Sequence, residues 1–150
     1  MTQFIRTDSE NEDFQTLVAL LDADLAMRDG DEHAFYAQFN KTATIRNAIV
    51  CYVDDKAIGC GAFREYDESK VEIKRMFVLP QYRGHGIALK ILNELELWAA
   101  ELNYQEYILE TGKKQPEAIR LYQKAGYSIT ASYSQYLNVE NSVCMKKSIL

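Results

Sequence analysis

The amino-acid sequence predicts an α+β fold, a mixed α/β sandwich in which helices flank a central mixed sheet. Short apolar segments separated by turn residues occupy the middle of the chain, which is typical of antiparallel hairpins. One strand–helix–strand unit follows, and its long helix repeats apolar residues at helical spacing. A chain of 150 residues can bury one core, so we expect a single domain over residues 1–150.

Hydrophobic spacing and turn residues predict the element order β-α-α-β-β-β-α-β-α-β-β. Residues 4–5 begin the sheet, and Asp8 or Ser9 is expected to cap the first helix. A turn at Asp54-Asp55 joins two strands into a hairpin, and Pro80 ends the third strand of this region. Further strands are predicted at residues 47–53, 57–66, 71–79, 107–109, 127–131 and 142–145, and further helices at residues 32–39, 87–102 and 116–125.

Composition argues against several classes of function. The net charge of −5 disfavours a nucleic-acid partner. Apolar runs stay well short of the roughly 20 residues that cross a membrane, so no membrane partner is expected. The three cysteines are odd in number and fit no zinc spacing, which favours reduced thiols in a cytoplasmic protein. With only two histidines, no metal site is expected.

The most informative segment is residues 81–88, Gln-Tyr-Arg-Gly-His-Gly-Ile-Ala, between a predicted strand and the long predicted helix. Two glycines let the backbone present several N–H groups together, and the helix N-terminus adds partial positive charge. Such a junction binds anions, phosphate above all, and the planar guanidinium of Arg83 suits phosphate. The segment is neither a P-loop, which needs Lys-Ser/Thr after its last glycine, nor a dinucleotide fingerprint, since Leu89 replaces the third glycine.

The segment resembles the pyrophosphate loop of the GNAT N-acetyltransferase superfamily, Arg/Gln-x-x-Gly-x-Gly/Ala. Gln81, Gly84 and Gly86 occupy its three defined positions. Residues 118–127 are similar to a second signature of that family, Ala-x-x-Leu-Tyr-x-x-x-Gly-Phe, with Tyr127 in place of phenylalanine. The two motifs occur in the family's order and on the expected elements, and the predicted element order is also that of a GNAT domain.

This resemblance implies an N-acetyltransferase that uses acetyl-CoA, releases coenzyme A, and acts by direct attack of a primary amine on the thioester. In the family, a bulge splays the strand before the loop, and its free backbone groups bind the pantetheine arm. Disturbed alternation within residues 71–79 is compatible with a bulge near residues 74–76, and equally with a sheet face partly open to solvent. The implied cofactor-binding residues are Met76, Phe77, Val78, Gln81, Arg83, Gly84, His85, Gly86, Ile87 and Ala88.

The resemblance also implies two catalytic residues. Tyr122 matches the signature tyrosine that acts as general acid toward the coenzyme thiolate; without the motif, a core tyrosine would be the simpler interpretation. Glu72 matches a glutamate that in some members relays the amine proton, often through water; the alternative is a solvent-facing glutamate paired with a cross-strand lysine or arginine. Gln115 stands where many members carry a capping asparagine, and glutamine is a poor helix cap.

The acceptor site is expected beside the first helices and the loop between the last strands, with Tyr36, Glu110, Tyr133 and Tyr136 as candidate contacts. Aromatic and acidic side chains suit a cationic amine, although these tyrosines can also be ordinary packing residues. Compact size favours a small-molecule amine over a protein substrate. A non-catalytic domain that senses acyl-CoA is the alternative from another class, a protein N-acetyltransferase is the other alternative, and the sequence leaves a homodimer open.

Overall fold

The computed structural model describes residues 1–29, 45–113, 115–133 and 141–149. Its seven strands form one mixed sheet in the order β1-β2-β3-β4-β5-β7-β6, in which β4 and β5 pair in parallel and the other neighbours are antiparallel. The elements in chain order are β1 Thr2–Thr7, α1 Glu12–Asp29, β2 Asn47–Val53, β3 Lys56–Glu65, β4 Lys70–Val78, a 3₁₀ turn Pro80–Tyr82, α2 Ile87–Glu101, β5 Glu106–Gly112, α3 Pro116–Lys124, β6 Ser128–Thr130 and β7 Ser142–Ser148.

The predicted fold class, a central mixed sheet flanked by helices, is confirmed. The predicted helix at residues 32–39 lies outside the described residues. The first strand is longer than predicted, because β1 pairs with β2 along its whole length. The last strand also extends past its predicted end, because β7 pairs with β5 up to Ser148.

The predicted cap of α1 was wrong. Asn11, not Asp8 or Ser9, accepts the hydrogen bond from the backbone N–H of Phe14 through its side-chain oxygen, at 2.9 Å. The Ser9 hydroxyl instead accepts from the backbone N–H of Ile45, at 3.2 Å, and Asp8 accepts from its near neighbour Glu10. Both earlier residues are therefore used in the turn before the helix, and the cap passes to the next residue of a capping type.

The two faces of the sheet carry separate apolar clusters. The core-facing side of α2 is fully buried at Ile91, Leu92, Leu95 and Ala99, against residues such as Phe63 of β3. The opposite face packs against α1 through a second cluster of buried side chains from α1, β2, β3 and β4: Phe14, Leu17, Val18, Ala48, Val50, Ala62 and Phe77. Helices therefore cover both faces of the sheet, and its central strands are buried between them.

Strands β4 and β5 separate toward the end of β4. Their parallel pairing covers three residue pairs, from Lys70 opposite Glu106 to Glu72 opposite Ile108. The register between β3 and β4 shifts just beyond this point, with one extra residue on β4, and Arg75 adopts a left-handed φ of 61°. This is a β-bulge, which bends its strand. The predicted bulge near residues 74–76 is confirmed, and it leaves a gap between β4 and β5.

Candidate active site

The gap between β4 and β5 opens into two cavities, which share wall residues that include Met76, Ala118 and Tyr122. We call the first the loop cleft; its lining comprises Leu21, Asp24, Met76, Phe77, Val78, Tyr82, Arg83, Gly84, Gly86, Ile87, Ala88, Leu89, Gln115, Glu117, Ala118, Leu121 and Tyr122. We call the second the polar cavity; its lining comprises Leu21, Leu25, Glu72, Ile73, Lys74, Arg75, Met76, Glu110, Thr111, Gly112, Gln115, Ala118 and Tyr122.

The floor of the loop cleft is a glycine loop that leads into α2. Gly84 and Gly86 have φ values of 84° and 77°. This is a left-handed conformation, which residues with a Cβ atom rarely adopt. A Cβ atom added to either residue would enter open space, so the backbone is bare toward the cleft. Gly86 is also the N-cap of α2, whose first N–H groups have no partner within the helix. These groups and the helix dipole fit an anion such as pyrophosphate.

The wall of the loop cleft is the end of β4. The backbone N–H of Leu79 donates to Ile58 of β3 at 2.9 Å, and successive peptide groups of a strand point to alternate sides. The peptide groups of Met76 and Val78 therefore face the gap between β4 and β5, beyond the last residue pair that joins these strands. The Val78 carbonyl accepts a hydrogen bond from Nε of Arg83 at 2.8 Å, and a carbonyl oxygen has a second lone pair for another donor.

The structure brings eight of the ten predicted cofactor-binding residues to the loop cleft: Met76, Phe77, Val78, Arg83, Gly84, Gly86, Ile87 and Ala88. Gln81 and His85 are exposed and do not line it. Gln81 lies in the 3₁₀ turn, and His85 lies between the two glycines. Sequence reasoning missed Tyr82, Glu117 and Leu121. The last two could have been found from helical spacing, since they share one side of α3 with Ala118 and Tyr122.

Tyr122 lies at the junction of the two cavities. Helix α3 begins with Pro116 at its first turn and carries Tyr122, which is 7% exposed. Burial raises the pKa of the Tyr122 phenol above its ordinary value, and the negative charge of Glu110 raises it further. The phenol therefore keeps its proton at neutral pH and can act as a hydrogen-bond donor or general acid.

The tyrosine that replaces the signature phenylalanine has its own hydrogen-bond partner. The hydroxyl of Tyr127 donates to the buried carboxylate of Glu96 on α2 at 2.9 Å, and Lys147 of β7 pairs with the same carboxylate at 2.8 Å. Burial and the Glu96 charge raise the pKa of Tyr127, which keeps it a donor. Its ring packs edge-on against Tyr122, with centroids 5.8 Å apart. The substitution thus links the end of α3 to α2 and β7.

Glu72 is held by three neighbours in the polar cavity. Its oxygens accept from Nε of Arg64 and from the hydroxyl of Tyr133, both at 2.9 Å, and Nζ of Lys74 lies 3.9 Å away. The cross-strand arginine matches the structural alternative for Glu72, but the residue is only 1% exposed and does not face solvent. Glu72 is therefore a buried carboxylate beside a cavity, where it can take part in proton transfer.

The candidate acceptor contacts divide into two groups. Glu110 lines the polar cavity, and Tyr133 lies against Glu72 and packs edge-on against Tyr66. Tyr36 and Tyr136 lie outside the described residues. Lys74 and Arg75 both line this cavity, which the sequence did not predict. Alternation along a regular strand would have placed one of them on each face.

Comparison with known proteins identifies the family. The model of the acetyltransferase (GNAT) family matches residues 10–127, and the chain belongs to this family. It is similar to the IAA acetyltransferase of Azospirillum brasilense, with 35% identity over 91 residues. That match spans 60% of this chain and 60% of the length of the relative.

Solved structures share the fold. A structure described as an acyl-CoA N-acyltransferase from Klebsiella pneumoniae subsp. pneumoniae has a TM-score of 0.84 at 30% identity, and the match covers 100% of this chain and 99% of that one. A GNAT family acetyltransferase from Elizabethkingia anophelis, solved with acetyl-CoA bound, has a TM-score of 0.70 at 16% identity and coverage of 99% and 98%. Within the described part of the chain, no helix is long and apolar enough to cross a membrane.

Proposed function

We propose that this protein is an N-acetyltransferase that transfers the acetyl group of acetyl-CoA to a primary amine of a small molecule. The observation that carries the proposal is the gap between β4 and β5, which ends at the glycine loop and has Tyr122 at its inner end. The resemblance of the fold to an acetyltransferase with acetyl-CoA bound supports it, as does the name of the Azospirillum relative. When bound, acetyl-CoA supplies a thioester whose carbonyl carbon is open to attack by an amine.

The loop cleft fits two chemically different parts of coenzyme A, the pyrophosphate and the pantetheine arm. The bare backbone of Gly84 and Gly86, with the N-terminus of α2, would hold the pyrophosphate. The peptide groups of Met76 and Val78 would pair with the amides of the pantetheine arm, as an added strand does. Arg83 joins these two parts of the cleft, because its Nε donates to Val78 while it lies beside the loop.

The residues around the junction can move both protons of the transfer. The amine loses a proton as it attacks, and Glu72 would accept that proton, directly or through water. As the bond from carbon to sulfur breaks, Tyr122 would donate its phenolic proton to the departing thiolate. Burial and the charge of Glu110 raise the pKa of Tyr122, so the phenol carries its proton before the reaction and can donate a hydrogen bond to the sulfur as negative charge develops there.

We also place the protein in the cytoplasm. Cys51, Cys60 and Cys144 are buried free thiols. Burial raises the pKa of Cys60 to about 12, so this thiol stays protonated and unreactive. Free thiols are typical of a reducing compartment.

The experiment that tests the proposal is an acceptor screen with acetyl-CoA. Purified protein is incubated with a panel of small primary amines, release of free thiol is followed by colour, and the acetylated product is identified by mass. We expect amine-dependent thiol release, with one mole of acetylated amine per mole of coenzyme A. Tight binding of acetyl-CoA without product from any amine would instead support the acyl-CoA-sensing alternative.

A further inference from the structure

We propose that the acceptor is a small zwitterion of the amino-acid type, with a carboxylate a few bonds from its primary amine, bound in the polar cavity. This inference rests on the proposed function and adds the substrate class. The cavity wall carries two consecutive cations of β4, Lys74 and Arg75, together with two acids, Glu72 and Glu110. A ligand with charges of both signs is complementary to such a wall.

The bulge is the reason that both cations reach one cavity. Successive side chains of a regular strand point to opposite faces. At Arg75 the left-handed φ of 61° interrupts this alternation, and both side chains lie on the face that α1 covers. The bulge thus does more than open the gap beside β4, since it also places a pair of positive charges next to the junction with the loop cleft.

Arg75 has hydrogen-bonding capacity left over. Its side chain is 3% exposed, and one terminal nitrogen pairs with Asp22 of α1 at 2.9 Å. Its Nε is buried and has no hydrogen-bond partner among the described residues. A buried N–H without an acceptor is unfavourable, and a guanidinium binds a carboxylate best through two parallel hydrogen bonds. A ligand carboxylate that accepts hydrogen bonds from Nε and a terminal nitrogen would give Nε the acceptor that Asp22 does not provide.

Lys74 is the second buried cation of this wall. Its side chain is 8% exposed, and burial lowers the pKa of the ammonium. The attraction of Glu72 and Glu110 opposes this change, but Arg64 and Arg75 add to it. The four neighbouring charges therefore do not compensate for burial. An incoming carboxylate would stabilise the ammonium of Lys74, whereas an acceptor with a second positive charge would be repelled.

Two acidic side chains, Glu72 and Glu110, would hold the ammonium end of the zwitterion. Glu110 of β5 and Glu72 of β4 stand on the two strands that border the gap, and both line the same cavity as Tyr122. An amine held between them lies toward the junction, where the thioester is expected. The cavity has a volume of about 120 Å³, which favours a small acceptor.

The test compares acceptors that differ only at the carboxylate. Each of the proteinogenic amino acids is assayed with acetyl-CoA beside its carboxamide and the amine that lacks the carboxyl group, and simple diamines are included. We expect kcat/KM for the best amino acid to exceed that of its amide and its decarboxylated amine by about tenfold or more. Equal or better turnover of the amide, the plain amine or a diamine would overturn the inference while leaving the proposed function intact. Failure of every amine would count against the proposed function itself.

Variants assign the preference to the cations. Lys74→Met should raise KM for the amino acid about tenfold, leave KM for its amide unchanged, and leave affinity for coenzyme A unchanged. Arg75→Gln tests the second cation, with folding checked by circular dichroism. Lys70→Met, on the same strand but outside the cavity, is the matched control and should change nothing. If Lys74→Met raised KM for the acid and the amide equally, the lysine would not be contacting a carboxylate.

Discussion

The loop cleft and the polar cavity meet at Tyr122, but the two are built differently. The loop cleft presents backbone groups at three places: two glycines in a left-handed conformation, the N-terminus of α2 and the free edge of β4. The polar cavity is formed by charged side chains such as Glu72 and Glu110, which come from different strands. A backbone site binds what every substrate pair shares, whereas a side-chain site can be changed residue by residue. On the proposed function, the cleft would serve the half of the reaction that involves acetyl-CoA, and the cavity would set specificity for the acceptor.

The residue at the junction should give the largest effect. Tyr122→Phe removes the proton donor while it keeps the ring and its packing on Tyr127. We expect kcat to fall about 10²- to 10⁴-fold, the usual contribution of a general acid, with unchanged affinity for coenzyme A. Tyr107→Phe is the control, because this buried tyrosine donates to the Glu96 carbonyl and lines neither cavity. Turnover at the wild-type rate would make Tyr122 a packing residue only.

The pH dependence of the same residue follows from its raised pKa. Burial and Glu110 shift the pKa of Tyr122 upward, so the phenol loses its proton only above its ordinary value of about 10. The acid form is then fully present throughout the neutral and mildly alkaline range. We expect the wild-type kcat to show no descending limb between about pH 7 and pH 10. A descending limb in that range that disappears in Tyr122→Phe would contradict the upward shift.

The next effect belongs to the polar cavity alone. Glu72→Gln keeps the shape of the side chain and removes its basicity, so we expect about 10²-fold lower kcat with unchanged affinity for coenzyme A. Glu65→Gln is the matched control, since that exposed glutamate also accepts from a tyrosine hydroxyl but lines neither cavity. An unchanged kcat in Glu72→Gln would move the role of base to water or to another residue.

A smaller effect is expected in the loop cleft and should concern affinity alone. Arg83→Glu reverses a charge beside the proposed pyrophosphate site and removes the hydrogen bond to Val78. Hydrogen bonds to charged groups are worth about 1.5–3 kcal/mol, so we expect coenzyme A to bind about 10- to 100-fold more weakly by calorimetry. Arg120→Glu makes the same change at an exposed position on α3 outside the cleft. Equal affinities in the two variants would mean that the loop does not bind the cofactor.

The smallest effect separates backbone strain from binding. Gly86→Ala and Gly126→Ala both place a side chain at a left-handed position, with φ of 77° and 102°. Each should lower the free energy of unfolding by about 1–2 kcal/mol. Only Gly86→Ala should also lower the affinity for coenzyme A, because the new Cβ atom would enter the space above the loop. Equal affinities for coenzyme A in the two variants would contradict a backbone site at Gly86.

The contrast between a cleft that offers backbone groups and a cavity lined by charged side chains also explains which features the sequence could predict. Gly84, Gly86 and Pro80 have conformational requirements that show in the sequence itself, so the end of β4, the loop and the start of α2 were predicted closely. The bulge was visible as broken alternation. The contact of Tyr133 with Glu72 was not visible, because it joins residues 61 positions apart.

Two further misses have the same physical origin. The cap of α1 passed to Asn11 because Ser9 bonds to Ile45, a partner 36 residues away that no local rule identifies. The joint position of Lys74 and Arg75 depends on which residue of the bulge takes the positive φ. A site built from side chains depends on long-range contacts and on detailed backbone geometry. The local spacing of residues in the sequence reveals neither.

The central claim is that the gap beside β4 and the glycine loop together bind coenzyme A, and ligand-induced thermal stabilisation tests it most directly. A ligand at 100 times its dissociation constant adds about 2.7 kcal/mol to the folded state. At roughly 2–4 °C per kcal/mol, we expect coenzyme A to raise Tm by about 5–10 °C. ATP and NAD carry a phosphate chain but no pantetheine arm for β4 to bind, so their shifts should be clearly smaller. Equal shifts from all three ligands, or no shift from coenzyme A at millimolar concentration, would contradict the claim.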